Sequence, residues 1–475
     1  MCRYILSAEI ESIQKYVVTS NKMWSIKAGS YILDKFNKDV KNEFDRSKGS
    51  LIYSSAGAVK AFFNDCDAAE QFAKCIAKKL KSETEIAALN WAVSEIKNSN
   101  FASAIDEVEK MIQEKRNKKT EQVSMVNNPL FADCEICKKY PACEMADIPQ
   151  KAGAILCRSC YLKQEVRKEK LGIYNKINNT LDLPDDLESL VGDDYLALIC
   201  SDGNRLGEIL IELSKQNKPE LLSKFSESLE KATIEAFKES VEAVFRDLAG
   251  YRNFPFLVVV LGGDDMTMAM PSKYAFKFVK KFSEKFYEKT SEFTDNLPKV
   301  SVSTGIAIAK RNYPFSNLYH IAEELQKNAK KLSRYLKTIQ PGDEHSTVDF
   351  EIITESLTEN IGERRKTIDF GTYIATGKPY SIGSSDYVFK FEDLIGTVDK
   401  LKEKKVSNSF INSLYEVVSK PDTAAIELKR RMKKHSQKLS ETKFESFIEI
   451  KGNFEKKQSL PLLDLAEIFT LQGGK

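Results

Sequence analysis

The clearest pattern of apolar and polar positions begins at Tyr195. Tyr195-Leu-Ala-Leu-Ile-Cys200 is a short apolar run and predicts a buried strand. Ser201-Asp202-Gly203-Asn204-Arg205-Leu206-Gly207 reads as a turn that opens a helix. Helical periodicity, interrupted at Pro219, resumes from about Glu220 to Leu248. Phe256–Leu261 predicts a second buried strand, Gly262–Asp265 a tight turn and Met266–Met270 a third strand, together a hairpin with glycine at its bend. Ser272–Phe293 predicts a helix, Val300–Ala309 a strand and Ser316–Leu336 another helix. The order is βαββαβ, the split βαβ of ferredoxin-like folds.

The N-terminal part repeats this order more faintly. Arg3–Glu9 predicts a strand and Ile10–Phe44 mostly helix. Leu51–Ser54 and Ala58–Phe63 predict a hairpin around Ser55-Ala56-Gly57, followed by a helix at Ala68–Leu80 and a strand at Ile86–Val93. The order of elements, not sequence identity, suggests an internal duplication. Glu114–Thr120 is charged and free of apolar residues, and reads as a linker. After about Asp349 the chain reads as mostly helical, with a turn at Thr376–Tyr380. The fold expected is α+β: two ferredoxin-like domains, a cysteine-rich insertion between them and a C-terminal helical domain. The boundaries are 1–120, 121–190, 191–345 and 346–475.

Length agrees with this division, since 475 residues exceed one compact core. No apolar run is long enough for a membrane helix, and the N-terminus lacks a secretory pattern, so a cytoplasmic protein with no membrane partner is expected. A net charge of +3 neither requires nor excludes nucleic acid. The basic stretch Leu428–His435 reads as a solvated helix face before an RNA contact, because aromatic residues do not interleave it. None of the three histidines, His320, His345 and His435, precedes an aspartate, so a His-Asp phosphohydrolase is not encoded.

Candidate chemistry lies at two places. Asp202 follows one central strand, and Asp264 and Asp265 lie in the hairpin beside it. Carboxylates converging there, with no lysine between them, repel one another unless a cation joins them. Oxygen ligands suit Mg²⁺, and two ions can clamp a phosphoryl transfer. Gly262 and Gly263 remove side chains where a nucleotide would approach the backbone. The turn Ser201–Gly207, with Ser201, Gly203 and Asn204, offers N–H groups to phosphate. Lys330, on the helix after the fourth strand, is placed to reach a triphosphate. Taken alone, Gly-Gly-Asp-Asp is also an ordinary turn; Asp202 on the adjacent strand favours the metal site.

Of the nine cysteines, five lie between Cys134 and Cys160. Cys134-Glu-Ile-Cys137 and Cys157-Arg-Ser-Cys160 are two Cys-x-x-Cys pairs, the spacing of a closed structural Zn²⁺ site. Cys143 is a possible substitute ligand without a paired partner. Trp24 and Trp91 read as core residues.

Asp202-Gly-Asn-Arg-Leu-Gly207 after a strand, Leu261-Gly-Gly-Asp-Asp265 in a hairpin and Ser303-Thr-Gly-Ile-Ala-Ile308 resemble the large polymerase–cyclase subunit of type III CRISPR effector complexes. More distantly they are similar to diguanylate cyclases, which share the palm. Glu9–Val17, Ser20-Asn-Lys22 and Ala28-Gly-Ser30 look like the opening of that subunit's first palm. The resemblance implies conversion of ATP to cyclic oligoadenylates with Mg²⁺ or Mn²⁺, two ions, held by Asp202, Asp264 and Asp265. It also implies guide or target RNA and other CRISPR effector subunits as partners. Lys330 matches the phosphate-contacting lysine of palm cyclases. The chain departs in lacking a His-Asp nuclease domain, in its shortness and in Arg205. The first palm's hairpin, Ser55–Ala58, has no carboxylate, so that palm is expected to be silent and at most to hold a second nucleotide. The alternative to an enzyme is a nucleotide-binding scaffold subunit of an RNA-guided complex. A template-dependent polymerase is disfavoured by the lack of a recognisable fingers domain.

Overall fold

The computed structural model describes residues 3–11, 13–97, 100–117, 132–149, 151–216, 218–246, 248–294, 296–354, 361–371, 373–383, 387–418, 430, 432–433, 439, 442–447, 451–452 and 458–473. The 120/121 boundary, the end of the expected linker and most of the basic stretch 428–435 lie outside them.

The N-terminal part comprises β1 (Tyr4–Ile10), α1 (Ile13–Val17), α2 (Met23–Glu43), β2 (Gly49–Ser55), β3 (Ala58–Phe63), α3 (Cys66–Thr84), β4 (Leu89–Glu95) and α4 (Phe101–Asn117). Its antiparallel sheet has the order β2-β3-β1-β4. The single helix expected over 10–44 is two, because the polar run Thr19–Lys22 interrupts it. Asp65 caps α3, its side chain accepting from the Ala68 N–H, which satisfies one of the orphan donors of a helix start.

The cysteine-rich part holds β5 (Glu144–Ile148), β6 (Lys151–Leu156) and α5 (Arg158–Glu165), followed by α6 (Gly172–Ile177) and α7 (Leu187–Val191). Next come β7 (Tyr195–Gly203), α8 (Leu206–Ser214), α9 (Pro219–Val244), β8 (Leu257–Gly262), β9 (Asp265–Pro271), α10 (Ser272–Ser291), β10 (Val302–Lys310) and α11 (Phe315–Ile339). They are followed by β11 (Ser346–Ile353), α12 (Ile361–Lys366), β12 (Tyr380–Ile382), α13 (Phe391–Glu403), α14 (Asn408–Val418) and, near the C-terminus, α15 (Leu462–Gly473).

The second sheet has the order β12-β11-β10-β7-β9-β8. Strand pairing therefore continues across the boundary expected at residue 345, with β11 running parallel to β10. Strand β7 is apolar from Tyr195 to Cys200 because both its faces are covered there. Ala197 and Ile199 enter a core with Phe225 and Phe237 of α9 and Phe276 of α10. Leu196, Leu198 and Cys200 enter a second core with Leu318 and Leu325 of α11, shared with Met23 and Ile26 of α2.

The two sheets meet reciprocally. Helix α2 packs against β8 of the second sheet, and α9 packs against β2 of the first. Lys41 of α2 pairs with Glu230 of α9 at 2.7 Å, and the Ser223 hydroxyl donates to the Leu51 carbonyl at 3.2 Å. Among the described residues, no helix is long and apolar enough to cross a membrane.

Candidate metal centres

Asp202 stands near the end of β7, paired in register with Ser303 of β10. Gly262 pairs with Asp265 across the β8–β9 hairpin, leaving Gly263 and Asp264 as its bend. Gly263 has φ +60°, a backbone conformation that a side chain disfavours. The Thr233 hydroxyl of α9 donates to the Gly263 carbonyl at 2.6 Å and fixes the bend. Oxygens of Asp202, Asp264 and Asp265 lie within 4.8 Å of one another, all three residues half-buried.

The electrostatics of this triad are strained. Burial, then the Asp265 and Asp202 charges, push the Asp264 carboxyl well above the usual carboxylate range. Burial and the Asp202 charge push Asp265 up to about 7. The Gly203 N–H donates to Asp264 Oδ2 at 3.2 Å. A Cβ at Gly203 would lie 2.9 Å from the Asp264 Cβ, so glycine is needed for that approach.

A lysine does stand among these carboxylates, contrary to the reading from sequence. Lys330 Nζ donates to Asp202 Oδ2 in an ion pair, and Gln326 Nε2 donates to the same oxygen at 2.9 Å. Both come from α11, one turn apart on the same face. The reason is local: α11 lies directly on β10 at Gly305, where a Cβ would fall 2.1 Å from the Ala322 carbonyl oxygen. Residues so distant in sequence give no sign of this contact, although the Gln326/Lys330 spacing marks a common helix face.

The space left by Gly262 is shared with the first sheet's hairpin. A Cβ there would lie 2.5 Å from the Ser55 hydroxyl oxygen, so the glycine admits the hairpin of the first sheet. Ser201 and Asn204 have side chains engaged within the fold. The Ser201 hydroxyl meets that of Thr304 at 2.9 Å. Asn204 Nδ2 donates to Ser301 Oγ at 2.8 Å, and its Oδ1 accepts from Ser303 at 2.7 Å. Arg205 is left-handed (φ +60°) and pairs with Glu208 and Glu344 at 2.7 and 2.8 Å. A cavity of about 240 Å³ opens beside Asp202, Gly203, Asp264 and Lys330, reaching Ser333 and Arg334, which sequence reading did not single out. A second, of about 260 Å³, lies between α2, the first sheet's hairpin and β8, with Asn37, Ser54 and Ser55 among its polar walls.

Cys134, Cys137, Cys157 and Cys160 are buried, with sulfurs within 4.8 Å of one another. Cys137 and Cys157 Sγ are 3.8 Å apart. Zinc–sulfur bonds of about 2.3 Å in a tetrahedron place sulfurs about 3.8 Å apart, so the donor set fits a closed zinc centre. Cys143 is exposed and outside the cluster. Trp24 packs in the same apolar cluster as the four cysteines, a core role as expected.

Residues 195–335 match the family model described as Cas10/Cmr2, second palm domain. No curated protein sequence matches the chain. Among solved structures, it is similar to a chain of the Csm1–Csm4 cassette in complex with cA4, at 12% identity and TM-score 0.59, covering 99% of this chain and 70% of that one. The cassette in complex with pppApApA gives 13% identity and TM-score 0.59, covering 99% and 69%. Csm1 in T. onnurineus gives 14% identity and TM-score 0.55, covering 99% and 69%. At such identities the likeness is one of fold.

Proposed function

We propose that this chain, a Cas10-like subunit, transfers nucleotidyl groups from ATP and closes the product into cyclic oligoadenylate. The observation that carries this reading is the convergence of Asp202, Asp264 and Asp265 on a hairpin that abuts the other sheet's hairpin. The shared 2-3-1-4 strand order of both sheets supports reading them as two ferredoxin-like palms. On that reading residues 1–120 form a silent palm, 121–190 the zinc insertion and 191–345 the active palm, whose sheet continues into β11 and β12, and the rest of 346–475 is the helical domain.

Asp202, Asp264 and Asp265 would hold Mg²⁺ or Mn²⁺, which when bound activates the attacking hydroxyl and neutralises the triphosphate. The chain's own residues do the rest. Lys330 pairs with Asp202 and, with a cation held by the aspartates, would be free to contact phosphate. The Ser201 and Asn204 side chains and the Gly203 and Asn204 N–H groups are engaged within the fold, so the phosphate contact of this turn falls to the first N–H groups of α8, which begins at Leu206. Gly262 and Gly263 bring the hairpin close to its counterpart, and the cavity at Ser54 and Ser55 holds the acceptor nucleotide. The four cysteines hold a structural Zn²⁺. By the likeness to the Csm1–Csm4 cassettes, the partners are other CRISPR effector subunits and their guide or target RNA, in the cytoplasm.

One observation favours a second reading. Lys330 already neutralises Asp202, as it would in a scaffold that holds nucleotide without turnover. Incubation of the protein with ATP and Mg²⁺ or Mn²⁺, with and without RNA, followed by chromatography, separates the two. Pyrophosphate and cyclic products that vanish in Asp264→Ala/Asp265→Ala are expected. Nucleotide bound but never converted, under every RNA condition, would leave the scaffold.

A further inference from the structure

We propose that Lys163 is the counter-charge of the four-thiolate zinc centre and fastens it to helices α1 and α2, so that their positions depend on zinc occupancy. This rests on the reading of the four cysteines as a zinc site.

Lys163 lies on α5, one turn beyond Cys160, and is fully buried. A buried ammonium needs a counter-charge, because leaving water without one is costly. No carboxylate among the described residues forms an ion pair with it. Burial, the largest influence, lowers the Lys163 pKa to about 8; the sulfurs of Cys160, Cys157 and Cys137 act against it and favour the charge, opposed by Lys139. Four thiolates around one zinc ion leave net negative charge, and Lys163 is the buried cation set to balance it.

Its hydrogen bond leads elsewhere. Nζ donates to the Tyr16 carbonyl of α1 at 2.5 Å and lies 4.3 Å from the centre of the Tyr16 ring. Tyr16 is in the last turn of α1, where carbonyls lack partners within the helix. On α2, Gly29 makes room for the same side chain: a Cβ there would lie 3.3 Å from Lys163 Cε and 3.4 Å from Nζ. One lysine thus touches α1 and α2 from the helix that carries Cys160. Helix α2 in turn packs against β8, the strand leading into the Gly262–Asp265 hairpin. Zinc is therefore placed to act on the contact between the two sheets.

The experiment uses the full chain. Metal analysis should find about one zinc per chain by the four-thiolate logic; a chain prepared without chelators that holds none overturns both the zinc reading and this inference. Zinc release to a chromogenic chelator is then timed for wild type, Lys163→Met and Lys163→Arg. Methionine keeps the apolar stem and removes the charge, so a purely space-filling lysine predicts no change. Release about 10-fold faster in Lys163→Met, the scale of a lost outer-shell partner, and near wild type in Lys163→Arg, is expected. Hydrogen exchange on wild type, before and after zinc is stripped, needs no variant to fold. It should rise in residues 13–17 and early α2 and stay unchanged in β7. Release from Lys163→Met at the wild-type rate, or exchange in α1 indifferent to zinc, overturns the proposal.

Discussion

Burial and the charge of Asp202 hold the Asp265 carboxyl up to about 7, against an ordinary value of 3.8. A carboxyl whose folded pKa is raised favours the fold while protonated, and that contribution is lost as pH climbs from about 4 to about 7. In metal-free protein at pH 8, Asp265→Asn should therefore raise the melting temperature by a few degrees, while lowering ATP turnover by about 100-fold or more. Calorimetry in chelator beside a pyrophosphate assay tests both; a fall in melting temperature would contradict the electrostatic account. All three aspartates were legible in the sequence, because each flanks an apolar strand. Lys330 was legible as a residue but not as the partner of Asp202, since that pairing depends on how α11 lies on the sheet. Ser55 was visible only as a residue lacking a carboxylate. Its contact with Gly262 is made by tertiary packing, for which the local pattern carries no signal.

At the scale of elements, α11 positions the candidate site. Gly305 lets it rest on β10, and Gln326 and Lys330 then reach Asp202. Gly305→Ala meets backbone on the Ala322 side, which cannot rotate away, so a loss near the upper end of the about 1–3 kcal/mol typical of overpacking is expected. Urea unfolding should show that loss, and, on the proposed function, the remaining folded protein should convert ATP more slowly. A variant of unchanged stability and turnover would show that α11 is not seated there. Most strands of both sheets were legible from apolar runs. Strand β11 was not, and its polar positions explain why. Asp349 and Glu351 alternate with Val348, Phe350 and Ile352 where the chain is expected to become mostly helical, yet all lie in a strand and both acids are buried. Arg365 pairs with Asp349 through two bonds, at 2.9 and 2.6 Å, and Asn328 of α11 adds a third at 2.7 Å. Cations and amides far along the chain make a fully buried strand from an alternating sequence.

Across the whole molecule, two sheets share one order over four of their strands, and α2 and α9 pack reciprocally between them. The repeated order of elements was legible, because each half carries its own apolar runs. Their mutual orientation was not, because the contact is made by small residues whose importance is the space they leave. A double-mutant cycle measures it. Gly262→Ala should slow turnover several-fold by pressing on the Ser55 hydroxyl. Ser55→Ala alone should matter little, and the pair should recover most of the loss, since the Ser55 Cβ lies at an ordinary 3.9 Å. Strict additivity would mean that the hairpins do not touch in solution.

That contact joins two unlike partners on one polypeptide. A palm enzyme assembled from two identical chains loses its site on dilution, and either half can serve as donor. Here the tether keeps the halves together at any protein concentration, and only one half carries the aspartates. On the proposed function, specific activity should therefore be independent of dilution, and each transfer should run in one direction, from the aspartate-bearing half to the half without them.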